Sequence, residues 1–170
     1  MQDSTTGRED NSREKAEQKA FRLLSARGRS IKELQSRLKE KGFEKPVVEE
    51  VIARLIELKY LDDESFARGW ARNLAVNRLY GNRRIEMSLL EKGIDRRLIE
   101  QSIAHTREEI SERDAISGLI NKKIKDKKIT ELNEKEKRRL AQNLMGRGFP
   151  ARLIFEVLGR SEEEFTNDRE

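Results

Sequence analysis

Cysteine is missing from the chain, so it forms no disulfide and offers no thiolate nucleophile or metal ligand. Histidine is almost missing. His105 stands alone, with no second histidine or cysteine at ligand spacing, which argues against a zinc or iron site and against a Ser–His–Asp triad. No apolar run approaches the ~20 residues of a membrane span. Met1 to Glu14 is polar, without the apolar segment of a signal peptide. These absences describe a cytoplasmic protein that does not enter the membrane. Aromatic residues make up 5% of the chain and hydrophobic ones 35%, against 41% charged, well above the roughly 25% charge of average domains. Such a chain builds small cores rather than one thick one. There are only two prolines, Pro46 and Pro150, and almost no strand signals.

What is present is a repeat. Lys41-Gly42-Phe43, Lys92-Gly93-Ile94 and Arg147-Gly148-Phe149 each join a basic residue, a glycine and a large apolar residue. Four and eight residues before the glycines stand Leu38 and Leu34, Leu89 and Ile85, Leu144 and Leu140. Six and ten residues after them stand Val48 and Ile52, Ile99 and Ile103, Ile154 and Leu158. Matching apolar flanks around a common block indicate an array of similar helical units. A glycine at this place is read as a helix stop in the left-handed conformation. A phosphate loop is excluded, since no Gly-rich turn follows a strand.

Helix boundaries follow from caps. Ser30 and Glu33 form a capping box, and Gly42 ends the helix they open. Pro46 sits in the first turn of the next helix, with Val48, Val51, Ile52, Leu55 and Leu58 facing inward. Asp62 caps a helix through Phe66, Trp70 and Leu74 that Gly81 stops. Ile85, Leu89 and Leu90 form the next stripe, and Asp95 caps a sixth helix with Leu98, Ile99 and Ile103 inward. Ala115, Ile116, Leu119, Ile120 and Ile124 begin the third unit. Asn133 or Thr130 caps a helix carrying Leu140, Leu144 and Met145, and Pro150 opens the last. The acidic run Asp62-Asp63-Glu64 is read as helix capping rather than a Mg²⁺ site.

The fold class expected is therefore all-α: an elongated array of three tandem three-helix repeats, nine helices in all, with flexible N-terminal and C-terminal tails. The segments are a disordered tail at 1–14, repeats at 15–61, 62–109 and 110–160, and an acidic tail at 161–170. Net charge over these is −2, +5, 0, +6 and −4. Basic outer units favour an acidic or polyanionic partner.

Leu61-Asp62-Asp63-Glu64-Ser65-Phe66-Ala67-Arg68-Gly69-Trp70, followed by Gly81, Ile85, Leu89 and Lys92-Gly93-Ile94, resembles the signature of the regulatory protein RecX family. Ala20 to Arg27 with Ser30, Glu33, Leu34 and Lys41-Gly42-Phe43 resembles its first unit. The likeness spans about residues 16–158 and is weaker in the third unit. It implies a non-enzymatic modulator of the RecA recombinase, acting in homologous recombination, DNA repair and the SOS response. Family members inhibit RecA's strand exchange and ATPase, lie in the groove of the RecA–DNA filament, and block its extension or promote its disassembly. No cofactor or metal is implied, and a monomer is expected.

Candidate contacts to partner or nucleic acid are basic residues outside the stripes. In the middle unit they are Arg68, Arg72, Arg78, Arg83, Arg84, Arg96 and Arg97, with Tyr80 as a stacking residue. In the third unit they are Lys122, Lys123, Lys125, Lys127, Lys128, Lys137, Arg138 and Arg139. Guanidinium groups suit carboxylates and phosphates alike, so two other readings stay open: an autonomous, non-specific DNA-binding repeat protein and a helical adaptor for another protein.

Overall fold

A computed structural model of the chain describes residues 3–125 and 128–159, with side chains from Asn11 onward. Among these residues there are nine α-helices and no strand: α1 Asp3–Ala26, α2 Ile31–Glu40, α3 Lys45–Glu57, α4 Asp63–Arg72, α5 Asn82–Glu91, α6 Arg96–Glu109, α7 Glu112–Ile124, α8 Glu134–Gly146 and α9 Ala151–Leu158. α1 starts inside the stretch that lacks apolar periodicity, and among its described side chains the first that is buried is Ala16. Residues 161–170 lie outside the described residues.

The repeated pattern translates into burial. Of the twelve flanking apolar residues around the three glycines, all but Ile103 are buried. Gly42, Gly93 and Gly148 have φ of +85°, +76° and +87°, the left-handed region that only glycine enters without a Cβ penalty. Around the first and third, the chain closes in the same two hydrogen bonds. Gly42 N donates to Lys39 O and Phe43 N to Leu38 O; Gly148 N donates to Met145 O and Phe149 N to Leu144 O. These satisfy carbonyls that a helix end leaves open, while the following Phe packs back on the core.

Caps elsewhere behave as local chemistry dictates. Ser30 with Glu33, and Asn133 with Glu136, form complete capping boxes, so Asn133 rather than Thr130 starts α8; Thr130 lies in the 3₁₀ turn Ile129–Glu131. Asp62 Oδ1 accepts from the amides of Glu64 and Ser65, which uses the carboxylate as a helix cap. Trp70 is half-buried, its Nε1 donating to Ser88 Oγ at 2.9 Å.

Two expectations fail. Leu58, expected inward, is 50% exposed, because α3 ends at Glu57. Gly81 does not stop the fourth helix. α4 continues into a π-helical turn, Asn73–Asn77, and the reversal falls on Leu79, with φ +50°. Gly81 instead precedes α5, its carbonyl accepting from the amides of Arg84 and Ile85.

The helices gather into two compact units. One comprises Met1–Ala67 with Leu90–Asp95; the other comprises Arg68–Leu89 with Arg96–Glu170. The first is centred on Ala16, Ala20, Leu34, Leu38, Val48, Val51, Leu55 and Leu61. In the second, Ile116, Ile120, Leu144, Phe149, Ile154 and Leu158 form the main cluster. The Lys92-Gly93-Ile94 block thus packs with the helices of the first repeat.

Candidate functional site

In the first unit, the N-terminus of α2 is a junction. Ser30 Oγ accepts from Glu33 N and donates to the Lys92 carbonyl at 2.7 Å. The Glu33 carboxylate receives Lys92 Nζ at 2.9 Å and both terminal nitrogens of Arg27. Asp63 Oδ1 accepts from Ile31 N at 2.9 Å. Burial pushes the Glu33 carboxyl up, but hydrogen bonds from Arg27 and Lys92, the Lys92 charge and the Ser30 amide outweigh it, bringing it down to about 2. Asp63 is raised, chiefly by burial. These acidic groups hold helix ends.

The second unit holds a comparable joint. Gly81 N donates to the Arg147 carbonyl at 2.9 Å. A side chain at Gly81 would run into the Gly148 backbone, and one at Gly148 into the backbone of Arg84. Ser30 and Gly81 each stand immediately before the middle helix of their repeat. Each bonds the carbonyl of the basic residue in the next repeated block.

Three of the candidate contact residues, Arg78, Tyr80 and Arg84, meet around this second joint. Tyr80 is half-buried, with Arg84 Cζ 4.8 Å and Arg147 Cζ 5.8 Å from its ring centroid, so its faces already meet cations within the unit. Arg147 Nη1 donates to the Arg78 carbonyl at 2.9 Å, and Arg84 Nη1 to the Gly146 carbonyl at 3.3 Å. Arg107 anchors the turn from beneath. It donates to Asn82 Oδ1 at 2.7 Å and to the carbonyls of Tyr80 and Ile110, and burial lowers its guanidinium. Among the described residues no carboxylate pairs with Arg83, Arg84 or Arg147, and Arg83 and Arg84 are exposed. Sequence reasoning passes over Arg147 because its block reads as a helix stop.

Other candidates divide. Arg72 is tied to Glu109 by two bonds of 2.7 and 2.6 Å, which raise its guanidinium. Arg96 lies 3.9 Å from Glu86. Arg68, Arg78 and Arg97 are exposed. Lys122, Lys123, Lys125, Lys128 and Arg139 are exposed, whereas Lys137 and Arg138 are half-buried, Lys137 lying 3.8 Å from Glu134. Lys123 and Arg139 share a cleft of about 260 Å³ with Leu132 and Leu140. Lys127 lies outside the described residues. His105 is exposed, 3.4 Å from Glu108. Among the described residues no cluster of His, Cys, Asp or Glu could hold a metal ion, and no helix is long and apolar enough to cross a membrane.

Three family models match in succession: RecX, first three-helix domain, over residues 16–55; RecX, second three-helix domain, over 62–103; and RecX, third three-helix domain, over 111–158. The chain belongs to the RecX family. A regulatory protein RecX from Mycobacterium sp. (strain JLS) is 33% identical over 153 residues, which are 88% of this chain and 83% of the relative. One from Mycolicibacterium smegmatis is 31% identical over 160 residues, 92% and 83% of the two chains. The crystal structure of RecX from Lactobacillus salivarius matches with a TM-score of 0.74 at 21% identity, covering 88% of this chain and 96% of that one. The three-helix grouping α1–α3, α4–α6 and α7–α9 is thus the RecX arrangement. A regulatory role comes with the family, and the third unit, where the sequence likeness is weakest, matches as well as the others in extent.

Proposed function

We propose that this protein regulates the RecA recombinase by binding the RecA–DNA filament, lowering its ATPase and strand exchange and limiting its extension. The reading takes RecA from the RecX resemblance. Among the observations on the molecule, the one that carries it is the pair Arg84 and Arg147 at the Tyr80 turn, with the exposed Arg83 next to Arg84 in the chain. Among the described residues these guanidinium groups pair with no carboxylate, and they favour an acidic or phosphate-bearing surface. The protein acts by binding, with no bond made or broken in the partner.

Co-sedimentation with RecA filaments preassembled on single-stranded DNA tests this directly. The wild-type chain should pellet with filaments and stay in solution when RecA is present without DNA. A variant carrying R83E and R147E should pellet at least tenfold less while keeping its circular dichroism. Equal pelleting of wild type and variant would remove the arginine cluster from the interface. Absence of pelleting by the wild type would remove RecA filaments as the partner.

A further inference from the structure

Among the described residues, the large apolar side chains left exposed are Phe21, Ile56, Leu58, Tyr60 and Met87. Four of these five belong to the first unit, so the exposure is concentrated where a partner surface would cover it. α3 ends at Glu57, and Lys59 then turns the chain in the left-handed conformation, φ +60°. After that turn the amides of Tyr60 and Leu61 both donate to the Leu55 carbonyl. Leu61 is thereby buried, while Tyr60 is left 59% exposed, edge to face with Phe21 at 5.1 Å between ring centroids.

Phe21, Leu24, Tyr60 and Phe66 wall a groove of about 440 Å³, and Arg29 lies in it. Arg29 is half-buried. Its Nε donates to the Leu23 carbonyl at 3.1 Å, which holds the guanidinium in place. Among the described residues its two terminal nitrogens meet no acceptor and it pairs with no carboxylate. Burial lowers the Arg29 guanidinium, the charges of Arg27 and Arg37 add to this, and Glu33 opposes it. Arg27, two residues earlier, is raised instead by its bonds to Glu33. A partly dehydrated cation with an open fork gains most from a carboxylate that arrives with its own apolar cover.

We infer that this groove is a docking site for a protein segment that places a leucine or aromatic side chain among Phe21, Tyr60 and Phe66 and a neighbouring carboxylate on Arg29. Aromatic residues and arginine are the side chains that most often anchor a partner at the centre of an interface. Two features favour a carboxylate-bearing peptide over a chain of phosphates. The groove offers one held guanidinium fork, which matches a single carboxylate in two parallel hydrogen bonds. Asp62 also lines the groove. The Ser65 hydroxyl and amide lower its carboxyl, so it stays ionised and repels a phosphate backbone, whereas the N–H groups of a peptide can donate to it. The inference goes beyond the RecA reading, which rests on the second unit, and its test uses no RecA, so either can fail alone.

The test selects peptides from a random phage-displayed dodecapeptide library on the full chain, then titrates the selected peptides, fluorescein-labelled, by anisotropy. The enriched sequences should pair leucine, phenylalanine or tryptophan with a nearby aspartate or glutamate. R29Q and Y60A should each weaken their binding about tenfold or more. A Cβ at Gly28 has room, its nearest neighbour being Phe66 Cδ2 at 3.9 Å. G28L should therefore fill the groove and abolish binding with the circular dichroism kept, which leaves a test in place if R29Q disturbs the fold. The control K45Q, which removes an exposed cation paired with Glu49, should bind as wild type. The proposal is overturned if no sequence is enriched, if the enriched sequences lack the carboxylate or the apolar anchor, or if any of R29Q, Y60A and G28L binds as wild type. It is equally overturned if an equimolar oligothymidylate displaces the peptide, which would mark the groove as a nucleic-acid site.

Discussion

Lys92 Nζ reaches Glu33 Oε1 at 2.9 Å across 59 residues of sequence, while the Lys92 carbonyl accepts the Ser30 hydroxyl hydrogen bond at 2.7 Å. The basic residue of one repeated block therefore grips the helix start of the repeat before it with both its main chain and its side chain. In the second unit, the Arg147 carbonyl does the same with the Gly81 amide.

The Glu33 carboxyl, held near 2 rather than its ordinary 4.5, stabilises the first unit when ionised. That contribution is complete above about pH 4.5 and disappears as pH falls from 4.5 toward 2. E33Q should cost about 1–3 kcal/mol at pH 7, the partial exposure of the site keeping it below the full linkage value. Thermal melts of wild type and E33Q from pH 7 down to pH 2 should show the gap closing as acid is added. A gap independent of pH would mean that the ion pair contributes nothing.

Glycine at equivalent places answers to different constraints. Gly42 has open space where a Cβ would stand, whereas a Cβ at Gly148 would meet the Arg84 amide at 2.6 Å. G42A should cost only the left-handed penalty, about 1–2 kcal/mol. G148A should cost that plus a displaced joint, about 3 kcal/mol or more. Chemical denaturation of the two variants checks the order, and equal costs would deny the close packing at Gly148.

Leu89 is fully buried in the second unit. L89A should destabilise that unit by about 2–5 kcal/mol, the transfer and cavity cost of a core leucine. A melt within experimental error of wild type would contradict the repeat register.

R83E should change stability by less than about 0.5 kcal/mol, since Arg83 is exposed on α5. R84E also loses the Tyr80 and Gly146 contacts, so it should cost about 0.5–1 kcal/mol. Both should weaken filament binding. Differential scanning calorimetry beside a binding titration separates the two effects, and unaltered binding by both variants would exclude this patch.

Local rules make the helices legible. Capping boxes at Ser30 and Asn133 need only residues three apart, and the positive φ of Gly42, Gly93 and Gly148 follows from glycine itself. What stays hidden depends on distance or on residue type breaking the rule. Lys92 gives no local sign of Glu33. Leu79 and Lys59 take left-handed turns that local rules assign to glycine, which is why Gly81 reads as a helix stop. Tyr80 reads as an open stacking residue because its flanking guanidinium from Arg147 comes from another repeat. Among the described residues, the basic candidates Arg83 and Arg84 are exposed and pair with no carboxylate, whereas Arg72 is bound to Glu109.

The central claim is direct action on RecA filaments, and RecA's DNA-dependent ATPase on single-stranded DNA measures it. The chain is added at substoichiometric amounts while DNA excess is varied in parallel. Inhibition that persists with excess DNA is the predicted result. No inhibition, or inhibition abolished by added DNA, would contradict it.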